Sequence, residues 1–142
     1  MSTSNTTPQW GLVQSSPPIR VLDTRTGTPL ASMTEMTLII GGREGDQDYS
    51  NAAAVFANFT VTGPTADGFL AVWPTGFDNP GTSNVNFATG QTVANMTLTW
   101  LGYYLNGDTY VGAIQIYNGS AGTVDVIVDV TGIVTGGQWG GG

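Results

Sequence analysis

Residues 54–62 have the sequence AVFANFTVT, which decides the fold class because apolar side chains recur at every second position. One side of this segment is formed by Val55, Ala57, Phe59 and Val61. A period of two is typical of a β-strand with one buried side. The turn sequence GPTADG follows at 63–68, and the apolar run FLAVW comes next at 69–73. The two runs are therefore predicted to form an antiparallel hairpin.

Outward from this hairpin, comparable short runs recur at a spacing of roughly 8–12 residues. The further predicted strands are residues 19–25, 36–40, 85–87, 92–101, 100–105, 110–117 and 123–131. Between two of them, Asn106-Gly107 is a strong hairpin-turn dipeptide. No segment has a helical period over two turns. The chain is therefore predicted to be all-β, a two-sheet antiparallel β-sandwich with jelly-roll-like topology.

The alternation also predicts which side chains are buried between the two sheets. In residues 92–101 the apolar side is assigned to Ala94, Met96, Leu98 and Trp100. The predicted core consists of Val55, Phe59, Val61, Leu70, Val72, Met96, Leu98, Ile114, Ile116, Val126 and Val128.

The 142 residues fit one domain with short extensions. Residues 1–18 are polar and end in Pro17-Pro18, which predicts an N-terminal arm. Residues 19–135 are assigned to the sandwich, and residues 136–142 form a Gly-rich C-terminal tail. The first eighteen residues lack the basic and apolar segments of a signal peptide, so we expect a protein that is used without export.

The composition excludes several kinds of chemistry. Only 9% of the residues are charged, against roughly 25% in an average domain, and Cys, His and Lys are absent. Thiolate and Ser-His catalysis, Cys/His zinc sites and phosphate-binding lysine loops are therefore excluded. The net charge of −7 disfavours nucleic acid and anionic membrane surfaces as partners. We expect no enzyme activity, no catalytic residue, no cofactor and no resident metal.

Asp125 and Asp129 lie on the same side of one predicted strand. A carboxylate pair would suit acid–base chemistry or metal binding, but their Cα atoms would be roughly 13 Å apart. That separation is too large for a glycosidase pair. Structural ion pairs are the favoured interpretation, in which Arg20 and Arg25 each bind one of the carboxylates of Asp23, Asp125 and Asp129.

The loop at residues 43–50 (REGDQDYS) is acidic and has oxygen ligands at alternate positions. Such spacing is compatible with Ca²⁺, although the Gly and the final Glu of an EF-hand loop are missing. A solvated acidic turn is favoured, and the sequence leaves calcium binding open.

The segment WLGYY at 100–104 is more aromatic than a solvent-facing hairpin needs. Aromatic side chains at a surface favour either a protein interface or stacking against a sugar ring, and both interpretations stay open here. The candidate interface residues are Trp10, Trp100, Tyr103, Tyr104 and Trp139.

Four blocks of sequence occur in a characteristic order. They are RVLDTR at 20–25, FTVTGPTADGFLAVWP at 59–74, SNVNFATGQTVAN at 83–95, and IYN at 116–118 with VIVDVTG at 126–132. Together they resemble a β-domain that recurs in secreted and surface proteins of actinobacteria and in virion proteins of their phages. The resemblance spans residues 20–134 and implies a β-sandwich in an actinobacterial setting. It implies no activity, because the family has no agreed one.

These observations favour a non-enzymatic structural protein of a phage virion, most specifically a capsid decoration protein. It would bind the outer shell as a homo-oligomer, with the major capsid protein or another virion protein as its partner. Residues 1–18 or 136–142 are expected to contact another chain. The alternative is a carbohydrate-binding or adhesion module for the actinobacterial envelope, located at a tail tip, secreted or on the cell surface. The oligomer number, a capsid or tail location and any bound glycan stay open.

Overall fold

The computed structural model describes residues 11–41 and 49–136. Within them the strands are β1 (Val13–Asp23), β2 (Glu35–Gly41), β3 (Ala52–Thr62), β4 (Gly68–Pro74), β5 (Val85–Phe87), β6 (Val93–Trp100), β7 (Gly102–Asn106), β8 (Thr109–Ser120) and β9 (Asp125–Thr135). A single 3-10 turn, Thr24–Thr26, follows β1.

The strands form two antiparallel sheets packed against each other. The first sheet has the order β1-β9-β3-β6, and the second has the order β2-β8-β4-β5, with β7 also paired to β8. Apart from β7, strands pair from the chain ends inwards: β1 with β9, β2 with β8, β3 with β6 and β4 with β5. This is one long hairpin rolled into two sheets, which is a jelly roll. The prediction of an all-β sandwich is confirmed.

The core lies between the inner sides of the two sheets. Phe59, Val126 and Ile116 are fully buried there, together with most of the predicted set. Tyr49 and Ile40 also contribute large buried side chains. Four alternate valines point into this core from β9 and the residue just before it: Val124, Val126, Val128 and Val130. The period of two therefore predicted the buried sides of β3 and β9 correctly.

The predicted hairpin of residues 54–62 with 69–73 is wrong, because β3 and β4 lie in different sheets: β3 pairs with β9 and β6, and β4 pairs with β8 and β5. The segment between them crosses from one sheet to the other, and alternation within a strand does not specify its partner.

The prediction that Met96 and Leu98 belong to the core is wrong. Met96 pairs with Asn58 and Leu98 pairs with Phe56, so both share the outer side of the sheet with those residues. The inward position near the end of β6 is occupied by Thr99, which is buried. The physical reason is the register between the strands. Paired residues in neighbouring strands lie on the same side of the sheet, and the more apolar side of β3 faces the core.

The prediction of a separate arm over residues 1–18 is also wrong at its boundary. Strand β1 begins at Val13, which pairs with Val134, and the Gly11 N–H donates to the Thr135 carbonyl at 2.6 Å. The strand is interrupted between Ser15 and Ile19, where the two prolines interrupt the register. Residues 11–18 therefore lie along their own sandwich. Residues 1–10 and the tail from 137 onwards lie outside the described residues.

Candidate interaction surface

One end of the first sheet brings together the beginning of β1 and the end of β9. Along this end, Val13 pairs with Val134, and Ala54 pairs with both Val134 and Trp100. We call it the Trp100 end of the sandwich. The first described residue, Gly11, and the last, Gly136, also lie here: Gly11 donates to Thr135, and the Gly136 N–H donates to the Asn51 carbonyl at 2.9 Å.

The outer side of the sheet at this end carries exposed apolar side chains. We call this the outer patch, and it consists of Val13, Phe56, Met96, Leu98 and Trp100. Trp100 is 61% exposed, Leu98 51% and Met96 50%. Single exposed apolar residues are ordinary on protein surfaces, but a contiguous group of large ones is typical of an interaction site.

A shallow groove of about 270 Å³ runs across the outer patch. Its walls are formed by Val13, Ser15, Phe56, Met96, Thr131 and Gly132. Gly132 leaves the floor of the groove without a side chain, and a Cβ atom there would lie 3.1 Å from the Gln14 carbonyl oxygen and 3.6 Å from the Phe56 ring. The lining is almost entirely apolar, so the groove suits an aliphatic or aromatic side chain of a partner.

The hairpin of β7 and β8, which follows Trp100 in the sequence, also carries exposed aromatic side chains. Tyr103, Leu105 and Tyr110 are exposed on it, and Tyr104 is less so. The rings of Tyr103 and Tyr110 meet edge to face, with centroids 6.1 Å apart and planes at 87°. Three of the predicted interface residues, Trp100, Tyr103 and Tyr104, are therefore exposed and close in sequence. The other two, Trp10 and Trp139, lie outside the described residues.

Ion pairs on the outer side of the sheet lie beside the outer patch rather than within it. Asp129 of β9 has Arg20 of β1 and Asn58 of β3 as strand partners. The other partner of Asn58 is Met96. Arg20 donates to Asp129 at 2.9 Å, and Arg25 donates to Asp23 at 2.9 Å. Both arginines thus meet a carboxylate from the predicted set. Asp125 differs: it accepts a hydrogen bond from the Thr24 hydroxyl at 2.8 Å and forms no ion pair among the described residues. The outer patch itself contains no ionisable side chain.

Two carboxyl groups on the surface are held in their charged form. The Arg25 guanidinium lowers the pKa of Asp23 through a side-chain hydrogen bond. The backbone N–H of Thr89, at 2.7 Å, and the Thr89 hydroxyl lower the pKa of Asp67. Hydrogen bonds to a carboxylate favour its ionised form, so both groups fix local structure at neutral pH.

We expect acid to destabilise the fold through these carboxyls. A group with a folded-state pKa below its unfolded value of about 3.9 stabilises the fold above that pH, and this contribution is lost as the pH falls through the folded-state pKa. The midpoint of urea unfolding should therefore stay level down to about pH 5 and fall below about pH 4. Asp67→Asn keeps an acceptor oxygen but cannot titrate, so it should reduce the fall. Asp78→Asn, at an exposed position, is the control, and an equal effect of both changes would contradict this assignment.

No group of three or more acidic, His or Cys side chains that suits a metal ion occurs among the described residues. The acidic loop considered for calcium falls largely on residues 42–48, which lie outside the described ranges. Within residues 11–41 and 49–136, no helix is long and apolar enough to span a membrane.

Sequence reasoning missed three of the five residues of the outer patch. Val13 was assigned to an arm, and Met96 and Leu98 to the core, whereas Phe56 falls on the side of its predicted strand opposite the core and Trp100 is a candidate interface residue. The available signal was the lack of any charge in VANMTLTW at 93–100, which is unusual for a strand with a solvent-facing side. Comparison with models of protein families, with curated proteins and with solved structures finds no match for this chain.

Proposed function

We propose that this chain is a non-enzymatic structural protein of a virus particle, which decorates the outer shell as a homo-oligomer. The observation that carries the proposal is the outer patch, an exposed and uncharged apolar surface on the outer side of the first sheet. A surface of this kind suits permanent contact with another protein. Its partner would be the major capsid protein or another virion protein, and its location the virion.

Three further features support this role. A jelly roll is a stiff body that occurs in many capsid proteins, although the same fold also serves lectins, so this support is an analogy. The sequence blocks at 20–134 resemble a domain found in virion proteins of actinobacterial phages. The net charge of −7 would keep many copies soluble when they are crowded on a shell.

Carbohydrate binding on the cell envelope is the second candidate, and the exposed hairpin of Tyr103 and Tyr110 favours it. Sugar rings stack on the flat face of an aromatic ring. The two tyrosines instead meet at 87°, so they form no coplanar platform. The apolar groove beside Phe56 has almost no polar lining to bind sugar hydroxyls. The protein-binding role therefore has the stronger support.

The test is co-sedimentation of the full chain with phage particles that lack their native copy. We expect saturable binding, because the outer patch would be buried against the shell. Trp100→Ala should weaken binding on the order of tenfold or more, since exposed tryptophans that become buried are common hot spots. Phe77→Ala is the control, because Phe77 is 69% exposed but lies outside the outer patch.

Two results would contradict the proposal. One is a wild-type chain that stays in the supernatant with every particle preparation. The other is equal loss of binding in the Trp100 and Phe77 variants. Binding to isolated envelope glycans that Tyr110→Ala abolishes would instead support the second candidate.

A further inference from the structure

Strand β6 lies at the edge of the first sheet. Within the described residues its only strand partner is β3. The Leu101 N–H donates to the Ala53 carbonyl at 2.9 Å, so the backbone groups of odd-numbered residues in β6 point towards β3. The N–H and C=O groups of Ala94, Met96 and Leu98 consequently point away from the sheet, at its free edge.

This edge lacks the features of sequence and register that normally prevent one strand from pairing with another. Edge strands are usually blocked by charged side chains, by Pro, by a bulge or by being very short. β6 contains no charged residue and no Pro, and its register with β3 has no shift from Val93 to Trp100. It is eight residues long, longer than a typical strand. Its backbone is therefore a regular template for an added strand.

The residues that present free backbone groups also carry the exposed apolar side chains. Met96 and Leu98 are both half exposed on the outer side of the sheet, and Trp100 continues their row. A strand added beside β6 would bond to their backbone and cover one flank of their side chains. Edge and outer patch thus form one continuous surface.

The distribution of charge favours a strand from a second copy of this chain as the one that is added. Two copies with a net charge of −7 repel each other over most of their surface. The edge and the outer patch are uncharged, so repulsion is weakest where β6 would meet β6. A strand in antiparallel contact with its own copy is also self-complementary, as a twofold interface requires.

We infer that β6 pairs with β6 of a second copy, forming one continuous eight-stranded sheet across a twofold axis at Thr97. This register places Met96 opposite Leu98 of the second copy, and Ala94 opposite Trp100, so the whole exposed edge is used. The axis is perpendicular to the sheet, and both outer patches therefore face the same way. This inference deepens the homo-oligomer of the proposed function and rests on it for its biological role.

Charged residues introduced at paired positions of this register test the pairing in the full chain. The double variant Met96→Lys/Leu98→Lys places like charges opposite each other at two positions. It should raise the dissociation constant of the dimer on the order of a hundredfold or more. Met96→Lys/Leu98→Glu places Lys opposite Glu in the same register and should restore the dimer. Met33→Lys/Phe77→Lys, with the same added charge at exposed sites elsewhere, is the control.

Sedimentation equilibrium gives the mass of each protein in solution. We expect the wild type, the Lys/Glu variant and the control at twice 14.7 kDa or a higher even multiple, and the Lys/Lys variant at the chain mass. Thermal unfolding by circular dichroism should show all four folded, because the substituted side chains are exposed. A monomeric wild type would overturn the inference, since the edge would then bind a different partner. Dissociation of both charged variants would also overturn it.

A cysteine at the axis provides an independent measurement. The chain has no Cys, and residues that face each other in a non-hydrogen-bonded pair have Cα atoms about 4.5 Å apart, close enough for a disulfide. Thr97→Cys should therefore give a covalent dimer under mild oxidation, whereas Ser83→Cys should not. Equal cross-linking of the two variants would contradict the pairing. A dimer that forms in solution but does not bind particles would leave the pairing intact and remove the proposed role.

Discussion

Phe59→Ala should cost about 3–5 kcal/mol of the free energy of unfolding. Phe59 lies in the middle of β3, is 0% exposed, and has Asn95 and Val128 as its strand partners. Removing its ring leaves a cavity between two sheets whose backbones are held apart by their own hydrogen bonds, so the site collapses poorly. Because the total free energy of unfolding of a domain of this kind is about 5–15 kcal/mol, the variant should be close to unfolding.

Urea unfolding followed by tryptophan fluorescence measures this loss, with the buried Trp73 as the main reporter. Phe77→Ala makes the same chemical change at an exposed position and should alter stability by no more than about 0.5 kcal/mol. Equal unfolding midpoints for the two variants would show that Phe59 does not lie on the buried side of β3.

Asn118→Asp should be comparably damaging although the two side chains have nearly the same shape. Asn118 lies near the end of β8 and is 0% exposed. Its amide nitrogen donates to the carbonyls of Leu30, Ala31 and Gly122 at 2.9–3.1 Å. The substitution puts a carboxylate oxygen against three carbonyl oxygens. An uncompensated buried charge of this kind costs about 3–5 kcal/mol.

The loss should depend on pH, which separates it from a simple packing defect. Burial raises the pKa of the new carboxyl in the folded state, so below about pH 4 it is neutral in both states and its charge costs nothing. Stability relative to wild type should therefore fall as the pH rises above that value. Asn86→Asp, at an exposed position on β5, is the matched control. If Asn118→Asp and Asn86→Asp unfold at the same urea concentration at neutral pH, the hydrogen bonds of the Asn118 side chain do not stabilise the fold.

The Asn118 network also marks a limit of sequence reasoning. The strand predicted at residues 110–117 stops before Asn118-Gly119, because Asn and Gly favour the positive φ of turns. In the structure β8 continues to Ser120, and the Ser120 hydroxyl donates to Asn118 at 2.7 Å. The side chain ties the end of β8 to segments near Leu30 and Gly122. The carbonyls of Leu30 and Ala31, which only the fold brings to Asn118, are the partners that the sequence could not reveal.

The outer patch was only partly predictable for a related reason. Trp100, Tyr103 and Tyr104 stood out as a dense aromatic segment and are exposed as an interface would need. Val13 did not stand out, because one valine in a polar segment is unremarkable until its partner Val134 is known. The groove has Gly132 beside Phe56, and these residues are 76 positions apart in the sequence.

The sequence by itself determined the central strands of the sandwich, the hairpin at Asn106-Gly107 and the ionic partners available to two arginines. These follow from local periodicity, from the φ angles that turn residues tolerate and from the need of charges for counter-charges. The tertiary structure alone decided which strands pair with each other and which side of β6 faces solvent. When both sides of a strand are partly apolar, the alternation of side chains does not tell which of the two sides is buried. Only the register with β3, set by the burial of Phe59 and its neighbours, selects the phase that leaves Met96 and Leu98 outside.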